Sequence, residues 1–401
     1  MIAAGGRGLA RSLEAIEKKP AMRPKILFYM QHLLGIGHVV RATRIARALA
    51  EDVFDVDLIC GGPVIAGLDA GKARLVALPP VSAGAGGFSD LVDGRGAPLT
   101  ESAKAERRAL LLAHFARQRP DIVLIEAFPF GRRQMRFELL PLLEAAWNTS
   151  PRPLIASSVR DILQEEKRPG RAESYADLVE RCFDMILVHG DPALAEFGAS
   201  FPLASRIAAY IKYTGMVGPG TLVHASERHD VIVSAGGGAV GERLILAALA
   251  ARPLSLLHAA SWLVVTGPNV SARLAAELAR IDDPSVTIAR FLPDLPQRLA
   301  NAQLSISQAG YNTVADLLAA RCRAVLMPYA AGGETEQGQR AALMEARGLA
   351  SVIAEDGIDA AGLALAMAAA LDLPDQRPAI DLNGASRTAA ILAKALQAHR
   401  S

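Results

Sequence analysis

Short apolar runs alternate with amphipathic stretches along most of this chain. Residues 25–30 (KILFYM) form the kind of run a strand needs when both faces of its sheet are covered. In the stretch that follows, 39–52, Val39, Ile45, Ala46 and Leu49 can share one helix face, while Arg41, Arg44 and Arg47 take the other. Further strands are predicted at 56–60, 74–78, 121–126, 153–158 and 184–189, with helical stretches between most of them. This alternation defines a doubly wound α/β unit with a parallel sheet. After residues 211–220 (IKYTGMVGPG) the pattern restarts, with strands expected at 230–235, 262–266, 286–289, 304–307, 324–327 and 350–354. Two similar domains follow, over 25–215 and 227–375, joined by a linker at 216–226. A last helical run within 376–401, set off by Pro374 and Pro378, is expected to pack back on the first domain. Residues 82–98 break the rhythm; long and glycine-rich, they are expected to form a mobile loop over the site.

Composition narrows the picture modestly. With 401 residues the chain exceeds one ordinary core, and its net charge of +2, without a Lys/Arg block, gives no reason to expect nucleic acid. No run of apolar residues reaches membrane-spanning length. Cys60, Cys182 and Cys322 lie far apart without CxxC spacing, as buried thiols in a reducing compartment would. Residues 1–24 carry Arg7, Arg11, Lys18, Lys19 and Arg23 against Glu14 and Glu17, with no apolar core of a secretory signal; a disordered tail is expected.

Candidate chemistry gathers at strand-to-helix turns. Residues 303–349 contain a strand, a turn at Ala309-Gly310, a helix bearing Asp316, a strand ending at Pro328, and a helix opening at Glu336-Gln337. Such a unit points two helix N-termini at one crevice, a natural place for an anion. Gly236-Gly237-Gly238 could admit a phosphate or serve tight packing; dinucleotide and P-loop spacings are both absent. In the first half, Gly35-Ile36-Gly37-His38 places a histidine at a helix start, where the dipole favours the neutral base, although a local capping role stays open. Arg41 lies one turn on and could meet a phosphate or carboxylate, or solvent. Glu126 closes a strand, and His189-Gly190-Asp191-Pro192 follows another and could be only a turn. No nucleophile elbow or metal-binding spacing occurs, so no metal ligand is assigned.

These residues resemble a known family. GIGH opening the first domain, VSAGGG after the linker, LSISQAGYNTVADLLA and AVLMPYAAGGETEQGQR are similar to the MurG-like GT-B glycosyltransferases, glycosyltransferase family 28. EAFPFGRRQMRFELLPLLE and SSVRDIL resemble an uncharacterised, predicted-glycosyltransferase branch of that group. The resemblance implies two Rossmann-like doubly wound domains facing across a cleft. It implies donor-diphosphate contacts at Gly236, Gly237, Gly238, Ala309, Gly310 and Thr313, with Asp316 on the ribose where the family has Glu. It places Glu336 and Gln337 on the donor sugar, Leu292 and Pro293 at the base, and Gly35, Gly37 and Arg41 on the acceptor side. His38 is the implied catalytic base, with Glu126 as the alternative.

The expected activity is metal-independent, inverting transfer of a sugar from a nucleotide diphosphate sugar, UDP being the expected nucleotide, to a hydroxyl or amine acceptor. The nucleotide sugar is a co-substrate, and no cofactor is expected. A nucleotide-sugar hydrolase or epimerase on the same fold, or a non-catalytic nucleotide-sugar binding protein, are the alternatives. The implied location is cytoplasmic, with peripheral contact at the inner membrane face and the oligomeric state left open.

Overall fold

The computed structural model describes residues 23–33, 35, 37–63, 65, 68–84, 87–165, 168–223, 227–236, 241–267, 270–374 and 379–401. The expected tail thus falls outside the described residues except for its last two, as do Gly237, Gly238, Pro378 and part of the expected linker.

The first domain runs β1 (Lys25–Met30), α1 (Gly37–Asp52), β2 (Asp55–Cys60), β3 (Arg74–Ala77), β4 (Val81–Gly84), β5 (Gly87–Asp93), α2 (Glu101–Gln118), β6 (Ile122–Glu126), α3 (Arg136–Trp147), β7 (Leu154–Arg160), α4 (Arg171–Cys182), β8 (Met185–His189) and β9 (Ile211–Tyr213). The second runs β10 (Val231–Ser234), α5 (Glu242–Ala251), β11 (Trp262–Val265), α6 (Ala272–Leu278), β12 (Val286–Ala289), α7 (Leu295–Leu299), β13 (Leu304–Ser307), α8 (Tyr311–Ala320), β14 (Arg323–Leu326), α9 (Glu336–Ala346), β15 (Ser351–Val352) and α10 (Ala360–Leu371). A final helix, α11 (Gly384–Arg400), packs on α1 and β7 of the first domain and ties its end there through His399 to the Arg152 carbonyl and Arg400 to Asp121.

Both main sheets are parallel. Their strand orders are β3-β2-β1-β6-β7-β8-β9 and β12-β11-β10-β13-β14-β15. Strands β1, β6, β8, β10 and β13 are buried almost throughout, because helices cover both sheet faces. In each sheet the order reverses beside the first strand, between β1 and β6 and between β10 and β13. Those two switch points open the crevices where ligands of such sheets lie.

Two segments differ from expectation. Within residues 82–98, the described positions form an antiparallel hairpin, β4–β5, rather than a mobile loop. It is pinned to the exit of β1 by Gln31 Nε2 donating to the Val81 carbonyl at 2.9 Å and Ala83 N–H donating to the Leu33 carbonyl at 2.9 Å. Residues 211–213, to which no strand was assigned, form the edge strand β9 beside β8.

The chain crosses between domains twice, and the crossings pair. Val217 bridges Asn383 antiparallel, and Gly384 N–H donates to the Met216 carbonyl at 2.9 Å. The approach demands glycine: a Cβ on Gly384 would lie 2.4 Å from the Gly215 carbonyl oxygen, and Gly215 itself sits at φ +82°. Asp191 anchors this hinge by accepting the Asp381 N–H at 2.8 Å. His189, at the end of β8, holds Thr214 Oγ1 at 2.8 Å through Nδ1 and Ser158 Oγ at 2.7 Å through Nε2.

Candidate active site

At the first switch point α1 begins directly after the β1 turn, and its first turn carries His38. Nδ1 of His38 lies 2.6 Å from Glu126 Oε1 at the end of β6. Glu126 is fully buried, and Arg41 pairs with the same carboxylate oxygen. Arg132 brings its Nε to 4.0 Å from Oε2 while donating to the Gln31 carbonyl at 2.7 Å. Burial alone would raise the Glu126 pKa, but His38, Arg41 and Arg132 outweigh it and hold the group below the usual carboxylate range. Burial, reinforced by Arg132, pushes the His38 imidazole well below its ordinary value against the opposing pull of Glu126. An ionised carboxylate only accepts, so neutral His38 carries its proton on Nδ1 and keeps a lone pair on Nε2. Its side chain is 20% exposed, whereas Glu126 is sealed. Of the two, His38 is the one whose side chain is open to solvent.

Arginines from both domains also cross or line the cleft. On α1, Arg41 is 2% exposed, held between Glu126 and the ring of Tyr311 from the second domain, whereas Arg47 on the same face stays exposed. Arg44, one turn further along, pairs with Asp316 Oδ1 on α8 at 2.8 Å. From α9, Arg340 reaches Asp161 of the first domain at 2.9 Å and Glu336 at 2.7 Å, all three buried. Burial disfavours its charge, and Asp161 and Glu336 more than offset that, raising its pKa. Arg160, the last residue of β7, pairs with the other Glu336 oxygen at 2.5 Å. Tyr311 lies between Arg41 and Arg340, their guanidinium carbons 5.2 and 5.6 Å from its ring centroid.

At the second switch point Gly236 turns the chain at φ +71° after β10. Gly310 caps α8 with extended backbone (φ −64°, ψ 150°), leaving the first amides of that helix facing the same crevice. Ala309 is buried, its carbonyl accepting Arg340 Nη1 at 3.2 Å, and Thr313 follows half-buried in the first turn. A Cβ on Gly241 would come 2.1 Å from Ala235 Cβ, so the turn out of β10 needs glycine there for packing.

The expected site residues are distributed accordingly. His38, Glu126 and Arg41 form one cluster. Ala309, Gly310 and Thr313 share the α8 start, with Gly236 across the adjoining strand end. Asp316 faces Arg44, and Glu336 is enclosed by Arg160 and Arg340. Gln337 accepts the Tyr329 N–H at 3.2 Å. Gly37, expected on the acceptor side, also reaches the second domain: its carbonyl accepts Asn312 Nδ2 at 2.8 Å. Gly35 is half-buried nearby, while Leu292 and Pro293 follow the edge strand β12, the first half-buried and the second exposed. Arg132, Arg160, Asp161, Tyr311 and Arg340 were not singled out from the sequence. A signal existed for Arg340, which stands four residues after Glu336 on a predicted helix, and for Arg132, which follows Gly131 in the turn after a buried strand.

The two parallel Rossmann-like sheets facing across this cleft give the chain the GT-B fold. Residues 231–389 match the glycosyltransferase family 28 C-terminal domain. Over 183 residues the chain is 32% identical to a UDP-N-acetylglucosamine–N-acetylmuramyl-(pentapeptide) pyrophosphoryl-undecaprenol N-acetylglucosamine transferase of Herminiimonas arsenicoxydans, a match spanning 45% of this chain and 46% of that protein. An enzyme of the same name from Symbiobacterium thermophilum is 27% identical over 339 residues, covering 82% of this chain and 84% of the relative. Among solved structures, the calicheamicin glycosyltransferase CalG4 superposes with a TM-score of 0.58 at 15% identity over 94% of this chain and 95% of that one. Acinetobacter baumannii MurG gives 0.55 at 13% identity over 92% and 99%. At such identities these superpositions speak for the fold alone. No helix among the described residues is long and apolar enough to cross a membrane.

Proposed function

We propose that this chain transfers a sugar, with inversion and without a required metal, from a nucleotide diphosphate sugar to a hydroxyl or amine acceptor. The observation that carries the reading is the His38–Glu126 pair, 2.6 Å apart at one switch point, across the cleft from the α8 N-terminus at the other. Nε2 of neutral His38 takes the acceptor's proton as the acceptor atom forms a bond to the anomeric carbon. The bond from that carbon to the diphosphate oxygen breaks, and its electron pair leaves with the nucleoside diphosphate. Glu126 holds the ring and stabilises the imidazolium that forms. The amides opening α8 and the turn at Gly236 would meet the charge growing on the leaving group, the part a metal plays elsewhere. Asp316 is assigned to the ribose, Glu336 and Gln337 to the sugar, and Leu292 and Pro293 to the base.

The relatives' names make UDP-N-acetylglucosamine the first donor to test. Incubation with it, with and without candidate acceptors, is read by UDP release and product mass. Acceptor-dependent UDP release that His38→Ala abolishes supports transfer. Free sugar formed at the same rate without acceptor would make the chain a hydrolase instead.

A further inference from the structure

His38, Arg41 and Arg44 stand three residues apart and line one stripe of α1, which runs from the Glu126 pair to the hinge. The last of them has two partners. Its Nη2 meets Asp316 Oδ1 at 2.8 Å, and its Nη1 donates to the Val217 carbonyl at 3.3 Å. Val217 is the residue at which the chain crosses between domains, and its N–H donates to Tyr311 Oη at 2.8 Å. Both polar groups of this one hinge residue are therefore held by side chains, one from each domain. Resting on the assignment of Asp316 to the donor ribose, we infer that Arg44 is a positioning residue that couples ribose recognition to closure of the two domains.

Asp316 is one methylene shorter than the Glu the family carries, and it sits on a helix that the first domain covers; its side chain is 13% exposed and that of Arg44 18%. Arg44 sets its charge 2.8 Å from Oδ1, and the vicinal hydroxyls of a ribose would be met by Oδ2. This holds only while α1 and α8 are together, because the guanidinium belongs to the opposite domain. Charge works the same way. Burial pushes the Asp316 carboxyl above its usual value, and Arg44 is the charged group that opposes it. Without Arg44 the carboxyl would spend more time protonated and would accept ribose hydroxyls less well, increasingly so as pH falls.

The test compares UDP with 2′,3′-dideoxy-UDP, which lacks both ribose hydroxyls, by calorimetry on the full chain and on Arg44→Gln, Arg44→Lys and Asp316→Asn. Wild type should prefer UDP by about ten-fold or more, the size of a hydrogen bond to a charged group. Arg44→Gln should lose most of that preference, chiefly by weaker UDP binding that worsens toward pH 5, while its dideoxy affinity stays near wild type. Arg44→Lys should restore it in large part, and Asp316→Asn should abolish it at every pH. Equal weakening of both nucleotides in Arg44→Gln would reduce Arg44 to a structural residue and overturn the inference. A wild type that binds both equally would remove Asp316 from the ribose and the inference with it, leaving the donor reading intact. A wild type that binds no nucleoside diphosphate would overturn both.

Discussion

Arg340 of the second domain and Asp161 of the first meet at 2.9 Å with their side chains 0% and 1% exposed. A buried ion pair between domains adds little net stability over an apolar contact, yet removing one partner strands the other charge. Arg340→Met would leave Asp161 and Glu336 facing each other's charge. It should cost about 3–5 kcal/mol by denaturant unfolding. Asp161→Asn, which keeps an acceptor for the guanidinium, should cost less. Equal, negligible losses in both would mean that the domains part readily and that the pair is not closed in solution.

If Glu126 acts through His38, substitutions at the two residues should separate. His38→Ala removes the base and should lower kcat by about 10²–10⁴ while leaving nucleotide affinity nearly unchanged. Glu126→Gln keeps the shape but loses the charge that orients and supports the ring, and it strands Arg41. It should lower kcat and also cost stability, which His38→Ala should not. Since the wild-type ring is held neutral, its rate should show no acidic limb near pH 6.5, the free-histidine value. An inflection there would place the base elsewhere.

His189 is buried and pushed down to about 3, by burial first and then by Arg41. Its folded value lies below the unfolded one, so the unfolded chain binds the extra proton and stability falls as pH drops below about 6.5. The slope from this residue approaches about 1.4 kcal/mol per pH unit between about pH 6 and 4.5. Denaturant midpoints of wild type and His189→Asn across that range should converge toward acid. Parallel curves would show that His189 does not titrate on unfolding.

The paired crossings at the hinge depend on two glycines. Gly384→Ala places a methyl 2.4 Å from the Gly215 carbonyl oxygen, a backbone atom that cannot step aside cheaply. It should destabilise the protein by about 1–3 kcal/mol and loosen α11 from α1, read as faster amide exchange in α11. Wild-type stability and exchange would mean the crossings are not zipped together.

Much of the scaffold was legible because it rests on local pattern. The apolar runs at β1, β6, β10 and β13 are short, bounded by turn residues and buried on both faces, so their burial shows directly in the sequence. The hairpin β4–β5 was not, since small residues and glycines mask the alternation and its anchors, Gln31 and Leu33, lie far back in the chain. Periodicity put Arg41 and Arg44 on a polar face but could not say that another domain covers it. The same limit hid Tyr311, whose two arginines come from α1 and α9, and Asp161, whose partner lies 179 residues away. Individual turns were readable; which turns face each other depends on how the domains close.

Calorimetric titration of the full chain with UDP in the presence of EDTA asks whether the cleft holds a nucleoside diphosphate without a metal. Saturable binding at one site is predicted, retained in His38→Ala and strongly weakened in Asp316→Ala. No binding of UDP, and none of any other nucleoside diphosphate under the same conditions, would contradict it.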